Sequence, residues 1–150
     1  MASNKNRIAL IGKIGSGKTT LMQRLMDLEI HYSKTQMVTY TENFIDTPGE
    51  FIELPFFCRN TINISCDAGL VILINSCIDS QNMVPPNFVH TFNIPTIGVV
   101  TKIDEPNANI QRSHKFLNFA GINKKKIYEV SAITGEGIDE LRKIIEKYIH

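Results

Sequence analysis

A chain of 150 residues, 43% hydrophobic and 21% charged, holds enough apolar material for one self-supporting core and lacks a disordered or collagen-like composition. Sixteen basic against fifteen acidic side chains leave a net charge of +1, which gives no electrostatic footprint for nucleic acid. Ile8–Ile11 and Leu70–Ile74 are too short to span a bilayer, and neither end carries a signal-peptide or prenylation pattern. The expectation is therefore one cytoplasmic domain over residues 1–150, with residues 1–6 flexible and no membrane contact. Cys58, Cys66 and Cys77 lack the close spacing of a zinc site and read as reduced, packed thiols. The four histidines are scattered and receive no role.

In chain order, Ile8–Ile11 predicts a buried strand. It runs directly into Gly12-Lys13-Ile14-Gly15-Ser16-Gly17-Lys18-Thr19 and then a helical pattern from Thr20 to Met26. Strand, glycine-rich turn and helix in that order are the context of a P-loop. A polar stretch follows, then Met37–Thr41 as a short strand, a turn at Glu42-Asn43, and Phe44-Ile45 as a returning strand ending at Asp46. The segment 49–66 carries mixed helical signals. Leu70–Ile74 and Ile97–Val100 are continuous apolar runs, as central parallel strands covered on both faces require. Between them Pro85-Pro86 precedes a short helix near Asn87–Thr91. Asn107–Ala120 predicts a helix stopped by Gly121, and Lys126–Val130 a last strand. Ile138, Leu141, Ile144 and Ile145 line one face of a final helix. Strands alternating with helices predict an α/β three-layer domain around a mainly parallel sheet.

In such a sheet the ligand sits at the carboxyl ends of the strands, and the candidate motifs fall there. The glycines let successive N–H groups of the loop point at one phosphate cluster, with Gly12, Lys13, Gly15, Ser16, Gly17 and Thr20 lining it. Lys18 reaches the β- and γ-phosphates as a point charge, the Thr19 hydroxyl suits Mg²⁺, and the helix adds its positive end. Asp46, in Asp46-Thr47-Pro48-Gly49, is placed to hold Mg²⁺ through water, and Gly49 leaves an N–H free for a γ-phosphate. Thr35 completes the Mg²⁺ shell in this reading. Thr39 is its competitor but lies in the β-like run.

Thr101-Lys102-Ile103-Asp104 follows the Ile97–Val100 strand. An ionised Asp104 is acceptor-only and can take both the N1–H and the exocyclic amine of guanine. Adenine would turn a ring acceptor against the carboxylate, a mismatch worth about 1–3 kcal/mol. The Lys102 stem is placed to cover the base. The Ser131 and Ala132 N–H groups are candidates for the base oxygen.

GKIGSGKT, the lone Thr35, DTPG, TKID and the late Ser131-Ala132 resemble, in order, the five motifs of the Ras-like, translation-factor class of P-loop GTPases. More closely, IALIGKIGSGKTTL, KTQMVTYTENFIDTPGEF and VPPNFVHTFNIPTIGVVTKID resemble the PduV–EutP family of ethanolamine- and propanediol-utilization proteins. The resemblance implies a bacterial protein, cytoplasmic or associated with a microcompartment, that binds GTP/GDP with Mg²⁺. Some members are described as ATP-binding or as acetate kinases, which makes ATP the alternative nucleotide. Microcompartment shell or pathway proteins are the implied partners. Three departures stand out. Thr101 replaces the usual Asn, so that one base and P-loop contact is expected to be lost or weakened. Glu50 replaces a water-orienting Gln and cannot donate a hydrogen bond, so slow hydrolysis is expected. Only a stub of hairpin fits between Thr35 and Asp46.

Three functions follow: a GTP-preferring switch or slow NTP hydrolase using Lys18, Thr35 and Glu50; an acetate kinase-type phosphotransferase; and a nucleotide-bound assembly or shell-targeting adaptor. The kinase needs a cationic pocket for a carboxylate, for which Lys13, Lys34 and Arg59 are the candidates.

Overall fold

Three apolar strands buried almost without a break, on both faces, form the centre of the molecule. The computed structural model describes residues 7–26, 39–40, 44–47, 67–82 and 84–148. Expectations for Thr35, Gly49, Glu50, Lys34, Arg59, the segment 49–66, Cys58, Cys66 and residues 1–6 fall outside them. The elements are β1 (Ile8–Gly12), α1 (Lys18–Leu25), β2 (Thr39–Tyr40), β3 (Phe44–Asp46), β4 (Leu70–Ser76), β5 (Thr96–Thr101), α2 (Ile110–Phe119), β6 (Ile127–Glu129) and α3 (Ile138–Glu146). Two 3₁₀ turns, Phe88–Thr91 and Lys124–Lys126, precede β5 and β6.

Among the described residues the sheet has six strands in the order β2-β3-β1-β4-β5-β6. All neighbours run parallel except β2, which pairs antiparallel with β3, Thr39 opposite Asp46 and Tyr40 opposite Ile45. The stub hairpin is thus a two-residue strand returning along β3.

Alternation along each strand sorts the core into two layers. Ala9, Ile11, Val71, Leu73 and Val100 face the side covered by Leu117 of α2. Ile8, Leu10, Leu70, Ile72, Ile97 and Val99 face the side covered by Leu21 of α1 and Leu141 of α3. Burying each Val, Leu or Ile side chain among them contributes about 1.5–3 kcal/mol relative to exposure. The expected α/β three-layer architecture is present.

Element ends differ from expectation for local reasons. α2 begins at Ile110, three residues late, because the Asn109 side chain caps it by accepting the Arg112 N–H at 3.1 Å. It ends as expected at Gly121, where Ile122 N–H donates to Leu117 O and Gly121 N–H to Asn118 O, a Schellman closure. β4 continues past its apolar run through Asn75 and Ser76, which pair with Val100 and Thr101. Lys126 belongs to a 3₁₀ turn capped by Asn123, so β6 starts one residue later. The segment near Asn87–Thr91 is a 3₁₀ turn, with Phe88 and Phe92 edge to face at 5.2 Å.

Candidate functional site

The carboxyl ends of β1, β3, β5 and β6 carry the predicted motifs to one edge of the sheet. Gly12, the last residue of β1, lies so close to β4 that a Cβ would meet Ile74 O and Ser16 Oγ at 2.8 Å each. Gly17 closes the loop with φ +93°, a conformation that favours glycine, and hands over to α1. Between them Ser16 N–H donates to Lys13 O at 3.0 Å. Lys18 opens α1 and folds back along the loop, its Nζ donating to Gly12 O at 2.8 Å and Lys13 O at 3.2 Å. The ammonium is buried and held over the strip of backbone where phosphates would lie. The Ser16 side chain is 3% exposed, and its Oγ has no hydrogen-bond partner among the described residues. A buried orphan hydroxyl inside such a loop fits a ligand-facing role.

Asp46 is buried at the end of β3, and its Oδ2 accepts the Thr19 hydroxyl at 2.5 Å. Thr47 anchors the same turn by donating to Leu10 O at 2.8 Å. A hydroxyl and a carboxylate brought together from two elements are the hard oxygen donors that Mg²⁺ takes when most of its shell is water and phosphate. The residues present fit that ion. Among the described residues no group of three His, Cys, Asp or Glu side chains could hold a metal.

A recess of about 110 Å³ adjoins the loop, lined by Thr20, Thr101, Lys102, Asp104, Ala132 and Ile133 among others. Asp104 Oδ1 accepts the Ser131 hydroxyl at 2.8 Å, and Ser131 Oγ accepts the Thr134 N–H at 3.1 Å. The carboxylate is thereby aimed by a relay from the loop after β6. Lys102 has φ +63°, and its Nζ reaches Gly15 O at 2.6 Å, so its stem lines the recess while its charge ties β5 to the phosphate loop.

Two expectations are corrected. Thr101 does not lose its contact with the phosphate loop: its hydroxyl donates to Ser16 O at 2.5 Å, because a short side chain suffices where β5 ends beside the loop. The Ser131 N–H is not available to a base oxygen, since it donates to Glu136 O at 2.9 Å in the turn that leads into α3. Thr39 sits opposite Asp46 in β2, as its β-like run predicted.

Ile133 and Asp79 also border the site, with no motif to mark them. Ile133 lines the recess and is 53% exposed. Only its place after Ser131-Ala132 marks it in the sequence. Asp79 pairs with Lys13 of the loop, Oδ1 to Nζ at 3.2 Å, although nothing in the run Cys77–Gln81 suggests it.

Cys77 supports the loop after β5 from behind, buried, with its thiol donating to Lys102 O at 3.1 Å. Burial pushes its pKa above the ordinary 9.0. The thiol stays protonated at neutral pH, and its contribution to stability is complete below the unfolded pKa and is lost as pH rises through the folded one. Peptide-resolved alkylation at pH 8 is expected to find Cys77 roughly a hundredfold slower than a free thiol until the chain is unfolded. Native labelling at the free rate would show that the thiol is exposed.

A larger surface groove, about 740 Å³, lies between α2 and β6 and contains none of the predicted site residues. No helix among the described residues is long and apolar enough to cross a membrane.

Comparison with known proteins places this geometry. A family model described as "Ethanolamine utilisation - propanediol utilisation" matches residues 5–147. The chain is 33% identical to the propanediol utilization protein PduV of Citrobacter freundii over 136 residues, covering 90% of this chain and 89% of that one. It is 28% identical to the probable acetate kinase EutP of Escherichia coli K12 over 137 residues, covering 90% and 86%. Among solved structures, Aquifex aeolicus Era bound to GDP·AlF4⁻ superposes with TM-score 0.66 at 21% identity, over 96% of this chain and 56% of that one. A bacterial selenocysteine-specific elongation factor superposes with TM-score 0.67 at 24% identity, over 97% and 28%. At these identities the structural likeness carries the fold, that of the P-loop GTPases.

Proposed function

The chain belongs to the PduV–EutP family, and on that footing we propose that this P-loop nucleotide-binding protein of the ethanolamine/propanediol-utilization systems is a GTP-preferring switch or slow hydrolase. The observation that carries the base preference is Asp104, an acceptor-only carboxylate held by Ser131 in a recess beside the phosphate loop. It matches the paired donors of guanine and opposes the ring acceptor of adenine.

In this reading Lys18 holds the β- and γ-phosphates by charge, and the first turn of α1 points its N–H groups at them. Thr19, Asp46 and Thr35 would hold Mg²⁺ through their oxygen atoms. When bound, Mg²⁺ neutralises the negative charge carried by the phosphate oxygens. Thr101 and Lys102 keep the base loop in register with the phosphate loop through Ser16 O and Gly15 O. Ala132 is small enough to admit the base, and Ile133 offers an apolar cover for it. Glu50 accepts but cannot donate, which favours slow turnover. Gly49 supplies an N–H to the γ-phosphate side.

The printed name of the E. coli relative favours a second reading, γ-phosphoryl transfer between ATP and a small carboxylate such as acetate. Lys13, Lys34 and Arg59 would then receive the carboxylate. A third use of the same site is as a nucleotide-held adaptor for shell or pathway proteins at a bacterial microcompartment.

One comparison separates them. Binding of GTP, GDP, ATP and acetyl phosphate is measured with Mg²⁺, then turnover with and without acetate. The proposal expects GTP to bind at least about tenfold tighter than ATP, with slow acetate-independent hydrolysis. Equal or tighter ATP binding would remove the guanine reading. Acetate-dependent ADP formation would establish the kinase, and tight binding with no turnover the adaptor.

A further inference from the structure

Lys18 is not the only ammonium at the phosphate loop. Lys13 is the second residue of the loop, and its carbonyl accepts the Lys18 Nζ at 3.2 Å. Its own ammonium is engaged by Asp79 Oδ1 at 3.2 Å, the two side chains being 26% and 19% exposed. Asp79 is held in place by the turn that leaves β4: its N–H donates to Ser76 O at 3.0 Å, and Oδ1 also accepts the Gln81 N–H at 3.1 Å. A carboxylate is thus fixed beside a loop that carries two ammonium groups, those of Lys13 and Lys18.

That placement has an electrostatic consequence. A polyphosphate in the loop would meet Lys13 and Asp79 together as a neutral pair, so the second cation adds little attraction. The flexible four-carbon stem of Lys13 lets the ammonium turn to another anion, but doing so leaves Asp79 uncompensated and near the phosphates. In a partly desolvated cleft either charge, left alone, acts on the ligand with weak screening.

We propose that Asp79 is an affinity-setting residue of the phosphate site: it neutralises Lys13 and so limits how much more tightly the chain holds a triphosphate than a diphosphate. This rests on the P-loop reading above. Asp79 does not touch the nucleotide; it acts through Lys13 and is a positioning residue.

The test is a double-mutant cycle read by equilibrium titration of Mg·GTP and Mg·GDP carrying a fluorescent ribose label, at two salt concentrations. Asp79→Asn frees Lys13 and is expected to tighten GTP about tenfold, GDP less, with a steeper salt dependence. Lys13→Met leaves the carboxylate facing the phosphates and is expected to weaken GTP about tenfold. The double variant restores neutrality and is expected within about twofold of the unmodified chain. If the pair merely tied the β4 turn to the loop, Asp79→Asn would lose affinity or leave it unchanged, and either result overturns the proposal. A gain of affinity cannot come from a damaged fold, so it separates the two cases. Failure of the unmodified chain to bind either nucleotide would overturn the underlying reading instead, and is recognised before any variant is made.

Discussion

Lys18→Ala is expected to abolish nucleotide binding, raising Kd for Mg·GTP by at least about a hundredfold while the chain stays folded. The ammonium is buried at the start of α1 and donates to Gly12 O and Lys13 O, so it is pre-aimed along the loop. Removing it also leaves two carbonyls without this donor, an effect on stability of about 1–3 kcal/mol. The two effects are separated by measuring thermal unfolding and equilibrium dialysis on the same sample. Lys18→Arg is expected to fail as a rescue, because a planar guanidinium cannot replace a compact ammonium bonded to carbonyls inside a tight turn. Retention of binding within about fivefold by a folded Lys18→Ala chain would remove the phosphate site from consideration.

The second large effect is on the base. Asp104→Asn is expected to weaken GTP and GDP about ten- to a hundredfold with no loss of fold, since Asp104 is exposed at the mouth of the recess. The amide keeps one acceptor but turns an NH₂ toward a guanine donor, leaving both groups unpaired. By the same donor–acceptor logic, xanthosine triphosphate, which carries a carbonyl where guanine has its amine, should gain. Ser131→Ala is expected to move the same way by a smaller factor, because it removes the hydroxyl that orients the carboxylate. Competition titrations with GTP, xanthosine triphosphate and ATP read both variants at once. If GTP affinity is unchanged in Asp104→Asn, the carboxylate does not read the base, and the choice between GTP and ATP lies elsewhere in the recess.

The strands, the phosphate loop and the motif ends were legible because each is written in neighbouring residues. Leu70–Ile74 and Ile97–Val100 announce central strands through their unbroken apolar runs, since a parallel strand is covered on both faces. Gly12 to Thr19 announces its turn through residue types that only a phosphate-cradling backbone needs in that order. Asp46 and Asp104 could be named as candidates because motifs at the carboxyl ends of strands converge in such a sheet. The start of α2 was missed by three residues because capping by Asn109 overrides the periodic pattern.

By itself, then, the amino-acid sequence determined the layer architecture, the loop at the end of β1 and the residues that the proposed function offers to phosphate, Mg²⁺ and base. Hydrophobic period and turn chemistry are local properties, and local properties can be read along a chain. What the tertiary structure decided is how those offers are used. Thr101 keeps hold of the loop through Ser16 O, across a sequence separation of 85 residues. The Ser131 N–H is spent inside its own turn while the hydroxyl goes to Asp104. Lys13 is neutralised by Asp79, 66 residues away. A hydrogen bond or an ion pair depends on two groups meeting at about 3 Å, and which groups meet is fixed by the packing of β1 against β4 and of β4 against β5, not by anything either residue's neighbours encode.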